Sequence, residues 1–274
     1  MKTRIISSVV ALAILFLAMF APVWVFLIGV TFVALIAVIE YFSSVRSKEY
    51  KMSPWPILIS VLSAVPLWVS MLYPLHTLGV NKDACIVVWI ILTVVACTSA
   101  CVFSNMKYHF ADVAISIFGL LYILLPLSLI VRIRSEQHGF YLIWLVFLGA
   151  WITDISAYFT GTFFGTRKIL PKISAKKTVE GFVGGILGCI LAIVIYGIWM
   201  QTKGVSIHWA WYLLLGAALG FVSQVGDWFA SCIKRYLDIK DFGKIMPGHG
   251  GILDRFDSVL YVTPMVYMFI ILMV

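Results

Sequence analysis

Charge is scarce in this 274-residue sequence: Asp, Glu, Lys and Arg make up 12% of it, against 62% hydrophobic residues. So little charge cannot cover a soluble domain. A mean hydropathy of +1.05, with 19 Phe and 10 Trp, places the chain among integral membrane proteins. Cysteine is also sparse: five residues lie inside or at the ends of apolar runs, without CxxC spacing, and Cys97 and Cys101 stand one helical turn apart. That pattern argues against a disulfide framework or a thiolate metal site and for small apolar packing. A clear leader-cleavage signal is lacking too. Lys2 and Arg4 precede an apolar run, but no clear small-x-small cleavage site separates it from the next hydrophobic span, so the first run reads as a retained helix.

Runs of about 20 apolar residues, the length that crosses a bilayer, fall at roughly 5–22, 23–41, 55–75, 84–103, 111–131, 140–163, 179–200, 207–231 and 258–274. They predict an all-α polytopic membrane protein of about nine transmembrane helices. The net charge of +8 raises the question of nucleic acid, but its distribution answers otherwise. With a cytoplasmic N-terminus, 16 of the 20 Lys and Arg residues fall on the inner side, leaving only Lys82, Arg132, Arg134 and Lys203 outside. This is the positive-inside pattern, and no nucleic-acid partner is expected. Residues 1–150 read as transmembrane scaffold, with Glu40 at the end of the second span, a basic turn after it, and Pro66 and Pro126 expected to kink or interrupt their helices. Residues 151–274 read as the catalytic half with its cytoplasmic polar loops.

Polar character begins at Asp154, a carboxylate inside an apolar span and thus a functional candidate, or an acid paired for folding alone. Tyr158 follows four residues later on the same helical face, then Gly161 and Gly165. The Gly161xxxGly165 and Gly181xxxGly185 pairs predict close helix contacts. Between them lies a loop rich in Lys and Arg, where Lys176 and Lys177 precede Thr178 and Glu180 at a helix start. Thr178 can cap that helix, and lysines beside a helix N-terminus suit an anion, although topology-setting charge explains them equally well.

The densest charge lies between Asp227 and Asp257. Asp227, Ser231 and Lys234, at i, i+4 and i+7, line one helix face. Proline and glycines at 247–251 cannot continue a helix, and they let backbone N–H groups approach a ligand. Asp254 and Asp257, three apart, open the last helix. Carboxylates from two helix ends among Lys, Arg and His are the donor set of Mg²⁺ and phosphate oxygens, since hard cations take oxygen ligands.

At these residues the chain resembles the phosphatidate cytidylyltransferase (CDP-diacylglycerol synthase) family. The signature reads Ser231-x-x-Lys234-Arg235, Lys240-Asp241, and Pro247-Gly248-His249-Gly250-Gly251-x-x-Asp254-Arg255-x-Asp257, with Asp154-x-x-Ala157-Tyr158 and Lys176-Lys177-Thr178-x-Glu180-Gly181 upstream. The resemblance implies a multi-helix membrane enzyme, often a homodimer, joining CTP to phosphatidate to give CDP-diacylglycerol and pyrophosphate. By resemblance, Asp227, Asp254 and Asp257 bind Mg²⁺, alone or with a second cation. Lys234, Arg235, Lys240, His249 and Arg255 hold phosphates, while Asp154, Tyr158, Lys176, Lys177, Thr178, Glu180, Ser231, Asp241, Gly248, Gly250 and Gly251 line the substrates. The implied location is a bacterial cell membrane, with the site facing the cytoplasm. Three positions depart from the family pattern. Ala230 stands where relatives commonly carry Glu, Ala175 where Pro usually precedes the paired lysines, and Phe242 where a small polar residue is common.

The residue chemistry agrees with the resemblance. A phosphate monoester has a second pKa of about 6, so the lipid nucleophile is largely ionised at neutral pH and needs no strong base. Two alternatives stand beside this reading. A cation transporter predicts polar residues through the bilayer midplane and a repeated half, and neither is seen. A CTP-dependent lipid kinase differs only in the phosphate transferred, and the family signature decides between them.

Overall fold

The computed structural model describes residues 13–46, 48, 50–72, 81–105, 107–174, 176–246 and 250–273. Residues 13–20 are helical. After them come α1 (Val23–Arg46), α2 (Pro54–Leu72), α3 (Lys82–Phe103), α4 (Phe110–Arg134), α5 (Gly139–Phe164), α6 (Val179–Gln201), α7 (Trp209–Tyr236) and α8 (Leu253–Met273). Among the described residues there is no strand, only two isolated β-bridges. Seven of these helices are long and apolar enough to cross a membrane, which bears out the all-α polytopic class but leaves the count of nine unconfirmed. α4 runs unbroken through Pro126, and α2 through position 66. All five cysteines are free.

The chain forms two compact units. One comprises Met1–Ser135 with Ile239–Arg255, and the other Glu136–Asp238 with Phe256–Val274. In the first, α4 is the central helix, touching α1, α2 and α3. It carries a continuous buried series that includes Leu120, Ile123, Leu124 and Leu127. Tyr41 of α1 lies where a Cβ at Gly119 would sit, and its hydroxyl donates to Ile115 O at 3.2 Å.

In the second unit, α5, α6 and α7 pack against one another. α6 shows why. Its inner row is Gly181, Gly185, Cys189, Ile193 and Gly197, all buried, while Val183, Leu187, Leu191 and Ile195 face outward and are exposed. Small residues inside and large ones outside are the arrangement expected where lipid, not water, surrounds the bundle and backbones must approach closely. A Cβ on Gly185 would meet Thr153 O at 3.1 Å and Ala157 Cβ at 3.0 Å, and one on Gly216 would meet Ile190 Cα at 2.7 Å. The last contact is with backbone, which cannot swing aside. Gly216→Ala is therefore expected to destabilise the second unit by about 1–3 kcal/mol, read as a lowered Tm in detergent. An unchanged Tm would mean that α6 and α7 can part without cost.

Candidate active site

The second unit gathers charge from four elements. Its glycines set the approach: a Cβ on Gly226 of α7 would meet Asp257 O at 3.0 Å and Tyr261 Cβ at 2.9 Å on α8, so the two helices touch one residue before Asp227. Lys177, just ahead of α6, places Nζ 2.7 Å from Asp227 Oδ2, and both side chains are largely buried. Burial opposes the charge on Lys177, but the Asp227 carboxylate, with Asp154 and Asp257 adding to it, outweighs burial and holds the ammonium above the ordinary lysine value. Asp257 is buried, accepts from its neighbour Ser258 N–H at 2.8 Å, and feels the charges of Asp227, Lys234 and Asp154. Three carboxylates thus share the field of Lys177, and Lys234 adds its charge at Asp257.

The loop before α6 is held in place by its own hydrogen bonds. Thr178 caps α6 as expected, its Oγ1 accepting from Gly181 N–H at 3.1 Å. Lys168 and Thr178 form an antiparallel bridge, and Val179 N–H donates to Arg167 O at 2.9 Å. Glu180 Oε1 accepts from Thr166 Oγ1 at 2.5 Å, which fastens the start of the loop to the helix. Arg235 Nε donates to Ile173 O at 3.4 Å and ties the far end of the loop to α7. Lys176 is exposed, Ser231 is partly exposed, and Tyr158 is exposed beside Phe159. Ala230 is completely buried.

A raised lysine pKa fixes the sign of a pH test. Such a group stabilises below its unfolded pKa, about 10.4, and loses that contribution only as pH rises through the folded value. Lys177→Met is expected to lower Tm at pH 7 and to keep that deficit at pH 9. A deficit that vanishes by pH 9 would mean that the lysine is already neutral there.

The first unit holds the remaining acid and the glycine loop. Asp254, buried in the first turn of α8, accepts with Oδ2 from Phe242 N–H at 2.8 Å and Gly251 N–H at 3.0 Å. Phe242 is buried and its carbonyl accepts from Ser44 Oγ at 3.1 Å, so this position serves the loop fold with its backbone. Gly250 has φ +84°, a conformation that favours glycine, and its carbonyl accepts from Met246 N–H at 2.9 Å. Lys240, Asp241, Lys244 and Arg255 are exposed. Gly248 and His249, with Pro247, lie outside the described residues, as do Ala175, Lys2 and Arg4. Asp227 and Asp257 thus belong to one unit and Asp254 to the other.

One acid escaped the sequence reading. Glu40 of α1 is buried, and its carboxylate accepts from Ile252 and Leu253 N–H. The signal was available: a carboxylate within an apolar span is a functional candidate, the argument applied to Asp154.

Among the described residues no three Asp, Glu, His or Cys side chains stand close enough to enclose a metal ion. The donor chemistry of Asp154, Asp227 and Asp257 nonetheless suits Mg²⁺, which is usually held by one or two carboxylates together with substrate phosphates, not by a complete protein cage.

Comparison with known proteins bears on this chemistry. A model of the cytidylyltransferase family matches residues 2–273. The chain is 34% identical over 275 residues to the phosphatidate cytidylyltransferase of Bacillus subtilis (strain 168), covering 97% of this chain and 96% of that protein. It is 32% identical over 278 residues to that of Staphylococcus haemolyticus (strain JCSC1435), covering 100% of both. With that of Staphylococcus aureus (strain COL) it shares 32% identity over 273 residues, 99% of each.

Proposed function

The chain belongs to the cytidylyltransferase family, and from that premise we propose that it transfers CMP from CTP to phosphatidate, giving CDP-diacylglycerol and pyrophosphate for phospholipid synthesis. A phosphate oxygen of phosphatidate forms a bond to the α-phosphorus of CTP, and the bond from that phosphorus to the β-phosphate bridging oxygen breaks with its electron pair. Pyrophosphate leaves. The nucleophile is already ionised at neutral pH, so the protein's work is to position two anionic substrates and to balance charge.

The observation that carries the assignment of the site is the Lys177–Asp227 pair at 2.7 Å, with Asp154 and Asp257 in the same field. Asp227 is paired with Lys177 while Lys234 acts on Asp257, and carboxylates set among ammonium groups in this way suit a divalent cation that carries phosphates. Asp227 and Asp257 would hold Mg²⁺, and bound Mg²⁺ supplies charge neutralisation at the phosphate oxygens. Lys177 orients Asp227, and Lys234 and Arg235 at the end of α7 attract the nucleotide phosphates. Lys240, Asp254 and Arg255 keep the roles that the family resemblance implies. The family resemblance implies a homodimer in the bacterial cell membrane, and the 16-to-4 distribution of Lys and Arg supports placing this chemistry on the cytoplasmic side.

The test uses purified protein in detergent with phosphatidate, Mg²⁺ and CTP labelled at either the α- or the γ-phosphate. Label entering lipid from the α-position, with one pyrophosphate released per lipid labelled, is the expected result. Label entering lipid only from the γ-position would replace this reading with a lipid kinase.

A further inference from the structure

Glu40 is a buried carboxylate that the reaction as described does not use. It is 5% exposed, near the end of α1. Oε1 accepts from Ile252 N–H at 3.1 Å and Oε2 from Leu253 N–H at 2.9 Å, across 212 and 213 residues of sequence. A Cβ on Gly243 or Gly251 would overlap the carboxylate, so glycine at both positions is what admits Glu40 into the loop. One turn further along α1, Ser44 Oγ donates to Phe242 O at 3.1 Å. A charge this deep is tolerable because backbone N–H groups replace its water, and the positive end of α8 adds to them.

Three successive N–H groups are divided between two acids. Gly251 N–H goes to Asp254, and those of Ile252 and Leu253 go to Glu40. Without Glu40, the last two lose their acceptor at the N-terminus of α8. Unsatisfied donors there turn to the nearest remaining carboxylate, and Asp254 lies close enough to interact electrostatically with Glu40.

We propose that Glu40 is a positioning residue for cytidylyl transfer: by holding the Ile252 and Leu253 N–H groups from α1, it keeps the Asp254 carboxylate in its own place and available to the reaction. Glu40 itself touches no substrate. The proposal rests on the cytidylyltransferase reading above and assigns the N-terminal helices a part in the chemistry.

The experiment compares Glu40→Gln and Glu40→Ala with the unaltered full-length protein in detergent, by steady-state kinetics with CTP and by hydrogen exchange of the segment containing Ile252 and Leu253. Glutamine keeps the volume and one acceptor, while alanine removes both acceptors. The expected kcat losses are about 10-fold for Gln and about 100-fold for Ala, corresponding to one and two charge-assisted hydrogen bonds. KM for CTP is expected to move much less than kcat, and exchange at Ile252 and Leu253 is expected to quicken in both variants. Unchanged kcat per folded molecule, with only Tm lowered, would reduce Glu40 to a structural part and overturn the proposal. So would unchanged exchange in Glu40→Gln. If Glu40→Ala fails to fold, Glu40→Gln alone decides by the same two readings. Should the unaltered protein show no α-label transfer, it is the cytidylyltransferase reading that falls, and the exchange result still reports whether Glu40 holds α8.

Discussion

Asp227→Asn is expected to lower the rate of α-label transfer into lipid by about 10²–10³-fold, the loss typical when a preorganised charge at a reacting centre is removed. Two effects combine. Asparagine is a weaker ligand for a hard cation, and Lys177 loses the carboxylate 2.7 Å away. Lys177 keeps the fields of Asp154 and Asp257. Both members of the pair are also partly solvated, so the stability loss should fall below the about 3–5 kcal/mol of a fully buried broken pair. The measurement is turnover per folded molecule, with folding verified by a sharp thermal transition. A rate near that of the unaltered protein would remove Asp227 from any metal or phosphate role. Lys51→Ala serves as the control. Lys51 contributes its backbone N–H to Asp112 Oδ1 at 3.0 Å, an interaction that alanine retains, so turnover should be unaffected.

Asp254→Asn and Asp254→Ala should separate charge from architecture. Oδ2 alone receives the N–H groups of Phe242 and Gly251, and an asparagine amide oxygen can take that place. The Asn variant should therefore fold with little change in Tm and lose about 100-fold or more in turnover, because only the charge is gone. Alanine leaves two buried N–H groups without that acceptor and should cost about 1–3 kcal/mol for each group left unsatisfied, in addition to activity. If Asn retains activity while Ala loses both activity and stability, Asp254 is a loop fastener and its metal role is withdrawn.

Helix positions were legible because hydrophobicity is a local, additive property: the eight apolar runs from residue 23 onward marked the helices from Val23–Arg46 to Leu253–Met273. The ends were less legible, most of all where the neighbouring residues are polar. Hydropathy stops near 231 and resumes near 258, yet α7 continues to Tyr236 and α8 begins at Leu253. A helix needs backbone hydrogen bonds and a cap, not apolar side chains, and at α8 the cap is Glu40, more than 200 residues distant. Thr178 shows the opposite case. Its cap was readable because acceptor and donor lie within one turn.

The candidate site divides in the same way. That Asp154, Lys177, Asp227, Asp254 and Asp257 matter followed from scarce charge in an apolar chain and from the spacing of the signature. Which of them meet did not. Asp254 and Asp257 are three residues apart, yet Asp254 is committed to the Phe242 and Gly251 N–H groups while Asp257 joins Asp227 and Asp154.

By itself, then, the sequence determined the membrane class, the placing of the spans, the inventory of charges and the family, because all of these are read from residue types and short spacings. Only the tertiary structure decided that Lys177 pairs with Asp227 and that Glu40 holds the start of α8. Those pairings depend on how closely backbones approach, and here glycines with no Cβ to hold them apart allow it, Gly216 of α7 against Ile190 of α6 and Gly243 and Gly251 against Glu40.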